Sequence, residues 1–221
     1  MIIISLDGNI GAGKSTLLAE IRKQLKEVYV VDEPVGQWTS LKNDDKNLLE
    51  LFYEDKKRWA YTFQNCAILT RLQNIKNAVT YLERLKDGPK IIITERSILT
   101  DKYVFAEMLR ESGDMNEVEW TLYDSWFTIF SNLFKVSGII YLSTSSVTSK
   151  ERIHIRNRSG EENIGIDYLI AIDNQHKKWM NSTSLPIITL STEPGSSLDN
   201  NIEKIKEFIT QITLHDHTLP A

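Results

Sequence analysis

The chain has 221 residues, 41% of them hydrophobic and 25% charged, and a formal net charge of −4. The length predicts one α/β domain over residues 1–221 rather than two small ones, and the negative charge argues against binding to nucleic acid, which needs a basic surface. A single cysteine, Cys66, excludes an intrachain disulfide. The sequence has no apolar run of membrane-spanning length and no signal-peptide core. It therefore favours a cytoplasmic protein that does not cross a membrane.

Short apolar runs rich in β-branched residues predict five strands, at 2–6, 28–31, 90–94, 138–143 and 185–190. The longer segments between them have helical periodicity and predict helices at 14–27, 47–86 (continuous or broken), 98–111, 115–135, 147–157, 166–182 and 199–213. This alternation is typical of a parallel sheet covered on both faces. Ligands of such sheets bind beyond the carboxyl ends of the strands, so the residues just after each strand are the candidates for chemistry.

The first predicted strand leads into "GNIGAGKS" (8–15), which matches the phosphate-binding pattern G-x-x-x-x-G-K-[ST] and opens a helix. The backbone N–H groups of such a loop surround phosphate oxygens at the positive end of the helix. Lys14 is predicted to reach the β- and γ-phosphates, and the Ser15 hydroxyl to hold Mg²⁺. The pattern predicts a site for ATP or another nucleoside triphosphate, formed by Gly8, Asn9, Ile10, Gly11, Ala12, Gly13, Lys14, Ser15 and Thr16.

This loop leaves the phosphate acceptor open: water, another phosphate or a hydroxyl; no Asn-Lys-x-Asp motif for guanine is present. After the second strand, "DEPVGQW" (32–38) places Glu33 before a proline, which restricts it to an extended conformation. After the third strand, "TERS" (94–97) places Glu95 and Arg96 at the same edge of the sheet. The carboxylate suits Mg²⁺ and the guanidinium suits a phosphate or the acceptor oxygen; the alternative is a structural ion pair.

Three arginines lie in "ERIHIRNRSGEE" (151–162), beside a glycine-containing turn. Arg152 and Arg156 share a helix face, and Arg158 comes next, where the helix should end. Three guanidinium groups there suit a lid that closes on a transferring phosphoryl group. The alternative is a solvated basic helix end, which the helix dipole favours.

Residues 47–72 present a helical face that is apolar and aromatic but also carries an amide and a guanidinium. That face consists of Leu49, Tyr53, Ala60, Gln64, Ala67 and Arg71. Gln64 offers both a donor and an acceptor, which suits the edge of a nucleobase. The side chains of Trp38, Phe63 and Phe105 suit a flat ring, although core packing is the alternative for each of them singly.

Across nearly its whole length the chain resembles the deoxyribonucleoside kinases, in the deoxycytidine and deoxyguanosine kinase branch. The segments that carry this resemblance, in the family's order, are "GNIGAGKST", "EPVGQW", "RWAYTFQ", "ERSILTDKYVFA", "MNEVEWTLY", "RIHIRNRSGEE" and "LPIITL". The resemblance implies a P-loop, nucleoside-monophosphate-kinase-like fold with a five-stranded parallel sheet and an arginine-rich lid at about 152–164. It also implies phosphorylation of the 5′-hydroxyl of a deoxyribonucleoside by ATP and Mg²⁺, and a homodimer formed through the helices at 47–86 and 115–135.

The resemblance implies catalytic roles for Glu33, Arg96, Lys14, Arg152 and Arg156. Glu33 resembles the general base for the 5′-hydroxyl, Arg96 the residue that orients that oxygen, and Lys14 with the lid arginines the cations that hold the transferring charge. Ser15 and Glu95 resemble the residues that place Mg²⁺. The substrate-binding residues that the resemblance implies are Glu33, Trp38, Leu49, Phe52, Tyr53, Phe63, Gln64, Ala67, Arg71, Arg96, Asp101, Phe105 and Glu161.

The lid of this chain differs from the family's pattern, and its base pocket resembles one branch of the family. The family's lid reads Arg, one residue, then Glu-Glu, whereas this chain reads "RSGEE"; a gapless count makes Glu161 the partner of Tyr53 on the sugar 3′-hydroxyl, and an insertion would make it Glu162. Ala67, Arg71 and Asp101 resemble the branch that takes deoxycytidine and purine deoxynucleosides rather than thymidine. Rival functions are a thymidylate-type nucleotide kinase and a regulatory nucleotide-binding module without turnover.

Overall fold

A wholly parallel, five-stranded sheet forms the centre of the structure, a computed structural model that describes residues 1–216. The chain also forms a small antiparallel hairpin, so that its strands in chain order are β1 (Ile2–Gly8), β2 (Val28–Val31), β3 (Lys42–Asn43), β4 (Lys46–Asn47), β5 (Ile91–Glu95), β6 (Gly138–Ser143) and β7 (Ile187–Ser191). The sheet has the order β2-β5-β1-β6-β7, and β3 pairs with β4. The predicted α/β fold with a five-stranded parallel sheet is confirmed.

Helices cover both faces of the sheet. In chain order they are α1 (Lys14–Gln24), α2 (Val35–Ser40), α3 (Leu48–Glu54), α4 (Lys56–Glu83), α5 (Ile98–Thr100), a π-helix (Asp101–Ala106), α6 (Glu107–Glu111), α7 (Glu117–Phe130), α8 (Ser146–Arg156), α9 (Ile166–Ser182) and α10 (Leu198–Asp216). None of the helices in residues 1–216 is both long and apolar enough to span a membrane.

The central strand β1 shows how the two faces are filled. Its side chains alternate across the sheet, as the two-residue period of a strand requires. Ile4 and Leu6 pack with α1 and α10 on one face. Ile3 lies on the other, where it packs with Ile75 and Leu82 of α4. Every residue of β1 is buried, which explains why the strand reads as a continuous apolar run rather than an alternating one.

Some predicted helices begin or end at other residues than the structure shows. Of the two alternatives for 47–86, continuous or broken, the helix is broken: Asp55 ends α3, and its side chain accepts a hydrogen bond from Arg58 N at 3.1 Å to begin α4. The mixed face predicted for one helix is therefore shared: Leu49 and Tyr53 belong to α3 and the other four residues to α4. The helix predicted at 115–135 is shorter, because the capping box of Asn116 starts α7 at Glu117.

Three elements were not predicted at all. The short helix α2 and the hairpin β3–β4 are too brief to show a period, and the hairpin turns on Asp44, whose φ is +54°. The segment predicted as the helix 98–111 contains the π-helix, whose Tyr103 stacks on Trp179 of α9 with ring centroids 5.9 Å apart. A π-helix widens the turn by about one residue, and the apolar period of a sequence cannot distinguish that from an ordinary helix.

A buried histidine lies between α9 and the sheet. The ring of His176 stacks on Tyr141 of β6 with centroids 5.6 Å apart, and its Nδ1 is 2.9 Å from the carbonyl oxygen of Ile172. Burial, and to a smaller extent the positive charge of Arg96, lowers the pKa of His176 to about 3. The imidazole is therefore neutral in the folded protein over the whole physiological range.

We expect His176 to make the fold acid-sensitive. An unfolded histidine has a pKa near 6.5, so below about pH 6.5 the unfolded state binds a proton that the folded state does not bind until about pH 3. The free energy of unfolding should thus fall by up to about 1.4 kcal/mol per pH unit on acidification. Replacing His176 by Gln removes this contribution, and urea unfolding of both proteins at several pH values measures it. A stability difference that stays constant with pH would contradict the assignment.

Candidate active site at the carboxyl edge of the sheet

The carboxyl ends of β1, β2 and β5 open into a cavity of about 280 Å³, called here the central cavity. All thirteen residues predicted to bind the substrate line it: Glu33, Trp38, Leu49, Phe52, Tyr53, Phe63, Gln64, Ala67, Arg71, Arg96, Asp101, Phe105 and Glu161. Ile10, Gly11, Lys14, Ser15, Glu95, Arg156 and Arg158 line it as well. The fold thus brings together side chains from the phosphate-binding loop, the ends of β2 and β5, the helices α2, α3 and α4, the π-helix, the last residue of α8 and the segment after it.

Some predicted residues lie outside the wall of the cavity, and some of the wall was not predicted. Gly8, Asn9, Ala12, Gly13, Thr16 and Arg152 do not line the cavity. Three residues that do line it, Asp32, Val35 and Tyr168, had no predicted role. The ring of Tyr168 meets Tyr53 edge-on, with centroids 6.2 Å apart. The helical pattern alone does not mark Tyr168 as a cavity residue, because a single aromatic residue in such a pattern is typical of the core.

The phosphate-binding loop has the backbone geometry that its glycines permit. Gly11 and Gly13 have φ values of +80° and +89°, and α1 begins directly after Gly13. Lys14 Nζ donates to the carbonyl oxygens of Asn9 at 2.8 Å and Gly8 at 3.2 Å. Burial, with the charge of Arg96, lowers the pKa of Lys14 to about 8. The loop is a cradle of backbone N–H groups around a buried ammonium group, which suits phosphate oxygens.

Arg152 faces the phosphate-binding loop from α8. Its Nη2 donates to the carbonyl oxygen of Thr192 at 2.5 Å, while its buried Nη1 has no hydrogen-bond partner in the described part of the chain. A side chain added at Gly13 would lie 3.7 Å from that Nη1 atom. A buried guanidinium nitrogen without a partner is costly unless a ligand satisfies it, and an anion held by the loop would do so.

Ser15 and Glu95 form the group that suits a divalent cation. The Ser15 hydroxyl donates to the Glu95 carboxylate at 3.1 Å, and burial followed by the negative charge of Glu33 raises the pKa of Glu95. Hydroxyl and carboxylate oxygens are ligands that Mg²⁺ accepts. Residues 1–216 contain no cluster of three His, Cys, Asp or Glu residues that would hold a metal alone, so phosphate and water oxygens would complete the shell, as is common for Mg²⁺.

Glu33 lies at the centre of the cavity between two arginines. Its Oε1 accepts from Arg96 Nη1 at 2.5 Å and from Arg71 Nη2 at 3.4 Å. Burial alone would raise the pKa of Glu33, but the charges of Arg96, Arg71 and Lys14 outweigh it and lower the pKa to about 2. The backbone of Arg96 is left-handed with φ +61°, an uncommon conformation for a residue with a side chain. The structure therefore holds an ionised carboxylate in a fixed place at neutral pH.

The far end of the cavity is a slot with aromatic walls. Phe52 and Phe63 stack with centroids 4.5 Å apart, and Trp38 meets Phe63 edge-on at 5.2 Å. Gln64 projects here with 1% of its surface exposed, and its Oε1 accepts no hydrogen bond from any residue among 1–216. A buried amide oxygen without a partner inside an aromatic slot suits a flat ring that carries a donor on its edge.

A buried ion pair closes the slot from behind. Arg71 binds both carboxylate oxygens of Asp101, with Nε to Oδ2 at 2.9 Å and Nη2 to Oδ1 at 3.1 Å. Its Nη1 donates to the carbonyl oxygen of Glu95 at 2.7 Å. The paired groups are 2% and 3% exposed, so the geometry is fixed and either charge would be costly without the other.

Above the cavity, the segment after α8 folds inward. α8 ends at Asn157, whose φ of +47° turns the chain, and Glu161 then lies buried with 4% exposure. Its carboxylate accepts from Arg156 at 2.5 Å and from Arg158 at 3.0 Å. Glu161 lines the central cavity, whereas Glu162 does not.

Comparison with known proteins agrees with this geometry. The family described as deoxynucleoside kinase matches residues 4–216. Human deoxycytidine kinase is 33% identical over 239 residues, covering 95% of this chain and 91% of that protein. A probable deoxycytidine kinase of fowlpox virus is 35% identical over 222 residues, covering 95% of this chain and 88% of that protein. A mitochondrial deoxyguanosine kinase of Xenopus laevis is 34% identical over 237 residues, covering 90% of this chain and 88% of that protein. The chain is therefore a phosphotransferase that belongs to the deoxynucleoside kinase family.

Proposed function

We propose that the protein transfers the γ-phosphate of ATP, bound with Mg²⁺, to the 5′-hydroxyl of a deoxyribonucleoside in nucleotide salvage. We further propose that deoxycytidine and purine deoxynucleosides are better substrates than thymidine. The observation that carries this function is the ionised Glu33 carboxylate, held by Arg96 between the phosphate-binding loop and the aromatic slot. A carboxylate there suits a hydroxyl acceptor; a nucleotide kinase, whose acceptor is already an anion, would need cations at that point instead.

The proposed reaction is a direct transfer of the γ-phosphoryl group to the 5′-oxygen. The 5′-oxygen attacks the γ-phosphorus, the bond from that phosphorus to the bridging oxygen breaks, ADP leaves and the hydroxyl proton passes to Glu33. Because the transition state of phosphoryl transfer is loose, the hydroxyl becomes strongly acidic only late, so a carboxylate with a low pKa can orient it first and take its proton afterwards. Lys14 and the lid arginines stabilise the charge that develops on the transferring oxygens. Mg²⁺, held by Ser15 and Glu95, would neutralise the phosphate oxygens.

The cavity also accounts for the choice of nucleoside. Tyr53 and Glu161 line the part of the cavity between slot and lid and would bind the sugar 3′-hydroxyl. Gln64 would bind the edge of the base, and the Arg71–Asp101 pair would meet its far side. Charged groups can bind an amino group or ring nitrogen of cytosine or a purine, but they give a thymine methyl group no apolar surface.

A 5′-phosphorylation assay over the four deoxynucleosides, with ATP and UTP as donors, tests the function directly. We expect turnover with deoxycytidine and no turnover with nucleoside monophosphates. Replacing Glu33 by Gln keeps the size of the side chain but removes the proton acceptor, and should lower kcat by about 10²- to 10⁴-fold. ATP affinity, measured by calorimetry, should change little. A near-normal rate in this variant would refute the role of Glu33, and phosphorylation of monophosphates alone would refute the proposed acceptor.

The Arg71–Asp101 pair should control both stability and base selection. Replacing Arg71 by Gln leaves the Asp101 carboxylate buried without its partner and should cost about 3–5 kcal/mol of the free energy of unfolding. Arg71→Gln combined with Asp101→Asn leaves no uncompensated charge and should recover part of that loss. The double variant should also lose about tenfold in the ratio of kcat/KM for deoxycytidine over thymidine. Equal instability of the two variants, or an unchanged ratio, would contradict this role.

We propose a homodimer formed through α4 and α7. Four large apolar residues on one face of α7 remain exposed, Val118, Leu122, Trp126 and Ile129, the first and last with 71% and 60% of their surface accessible. Leu69 adds an exposed apolar side chain on α4, which packs beside α7. A contiguous apolar surface of this kind is typical of a subunit interface.

We also propose a cytoplasmic location, which the single thiol, Cys66, supports.

Sedimentation of charge variants tests the dimer. Replacing Leu122 and Ile129 together by Glu should yield a monomer, because two carboxylates would be buried in the interface. Ile170→Glu on α9, which is similarly exposed, is the matched control and should leave the dimer intact. A monomeric wild-type protein, or a double variant that sediments as a dimer, would refute the proposed interface.

A further inference from the structure

The segment after α8 touches the first turn of α3 at one side chain. The Ser159 hydroxyl donates a hydrogen bond to Oε1 of Glu50. The other oxygen of this carboxylate, Oε2, accepts from the backbone N–H of Asn47 at 2.8 Å, which completes the capping box of α3. Glu50 therefore joins the start of α3 to the segment that folds over the central cavity.

The backbone of that segment is seated on the same residue. Gly160 has a φ of +87°, and a Cβ placed on it would lie 3.1 Å from Cγ and 3.3 Å from Cα of Glu50. The chain can approach α3 this closely only because position 160 carries no side chain. The contact thus consists of a hydrogen bond and a close backbone approach, side by side.

This contact lies between the two walls that enclose a substrate. From α3, Leu49 and Tyr53 line the cavity, and on the other side Arg158 and Glu161 line it from the segment that contains Ser159. Glu50 and Ser159 themselves do not line the cavity. The Ser159 hydrogen bond, followed by that from the Asn47 backbone, lowers the pKa of Glu50, so the carboxylate is charged when it holds the two walls together.

We propose that Glu50 is a positioning residue that holds the lid closed over both substrates through Ser159. The inference rests on the roles proposed above for Glu161 and the lid arginines. Capping of α3 requires only the Oε2 atom of Glu50, so the bond to Ser159 serves the lid and not the helix. Because Ser159 is exposed and the contact consists of one hydrogen bond beside a close backbone approach, the lid can open again to release product.

Replacing Ser159 by Ala removes the hydrogen bond and keeps the capping box. A closed lid brings Glu161 to the sugar and the arginines to the phosphates, so weaker closure should raise the KM values for deoxycytidine and for ATP by the same factor, about three- to tenfold. Ser159→Asp should raise both further, because it sets a carboxylate against Glu50. Adding Glu50→Gln to Ser159→Asp removes this repulsion and should restore both KM values toward those of Ser159→Ala.

Limited cleavage by trypsin provides a readout that does not depend on the proposed roles in catalysis. Arg156 and Arg158 are cleavage sites inside the lid, and Ser159→Asp should be cut there several-fold faster than the wild-type protein, with the melting temperature unchanged. Ser40→Ala, an exposed serine that ends α2, is the control and should change neither cleavage nor KM.

The outcomes separate the two proposals. Three results would overturn the role of Glu50. They are unchanged cleavage and KM values in Ser159→Asp, a change in KM for only one substrate, and a melting temperature that falls in proportion to the faster cleavage. If Glu161→Gln leaves the KM for deoxycytidine unchanged, the proposed sugar contact is wrong. Faster trypsin cleavage of Ser159→Asp would still support the contact between lid and α3 in that case.

Discussion

Four charged side chains, those of Glu33, Arg71, Arg96 and Asp101, lie together with little exposure at the carboxyl edge of the sheet, and the remainder of the site is arranged around them. Glu33 accepts hydrogen bonds from Arg96 and Arg71, and Arg71 also binds Asp101 and the backbone of Glu95. Each ion is desolvated, so each depends on a partner that arrives from a different element of the chain. Because any one of these ions would be costly to bury without its partner, the ion pairs constrain the relative positions of β2, α4, β5 and the π-helix.

This constraint links stability to chemistry. The ionised state of Glu33 at neutral pH is a consequence of its arginine partners, and the same partners hold its carboxylate still at the point where an acceptor hydroxyl would lie. The phosphate-binding loop comes directly after β1, next to β5 in the sheet, so the donor and acceptor ends of the cavity share one rigid edge. The segment after α8 is held over the cavity in part by the contact of Ser159 and Gly160 with Glu50.

Much of this arrangement could be predicted from the sequence, for physical reasons. The five strands are buried on both faces and therefore appear as apolar runs, and "GNIGAGKS" combines a turn, a lysine and a helix start in a way that few loops do. The phosphate-loop pattern and the strand ends indicated Lys14, Glu33 and Arg96, and periodicity indicated the mixed face of 47–72. The roles of these residues and the rest of the cavity wall were predicted from the resemblance to a family. The features that could not be predicted depend on three-dimensional contacts: the π-helix, the partner of Ser159 and the neutral His176.

The π-helix has a consequence for how this pocket can vary among related chains. Asp101 and Phe105 lie about one turn apart on the same side of the segment, and both line the cavity. The wider turn accommodates about one residue more than an α-helical turn, so loss of a single residue here would restore an ordinary α-helix and leave α6 in place, but it would change which side chains of the segment face the cavity. Amino acids at the two positions can therefore be exchanged to suit another base, whereas a change in the number of residues between them would alter the lining itself.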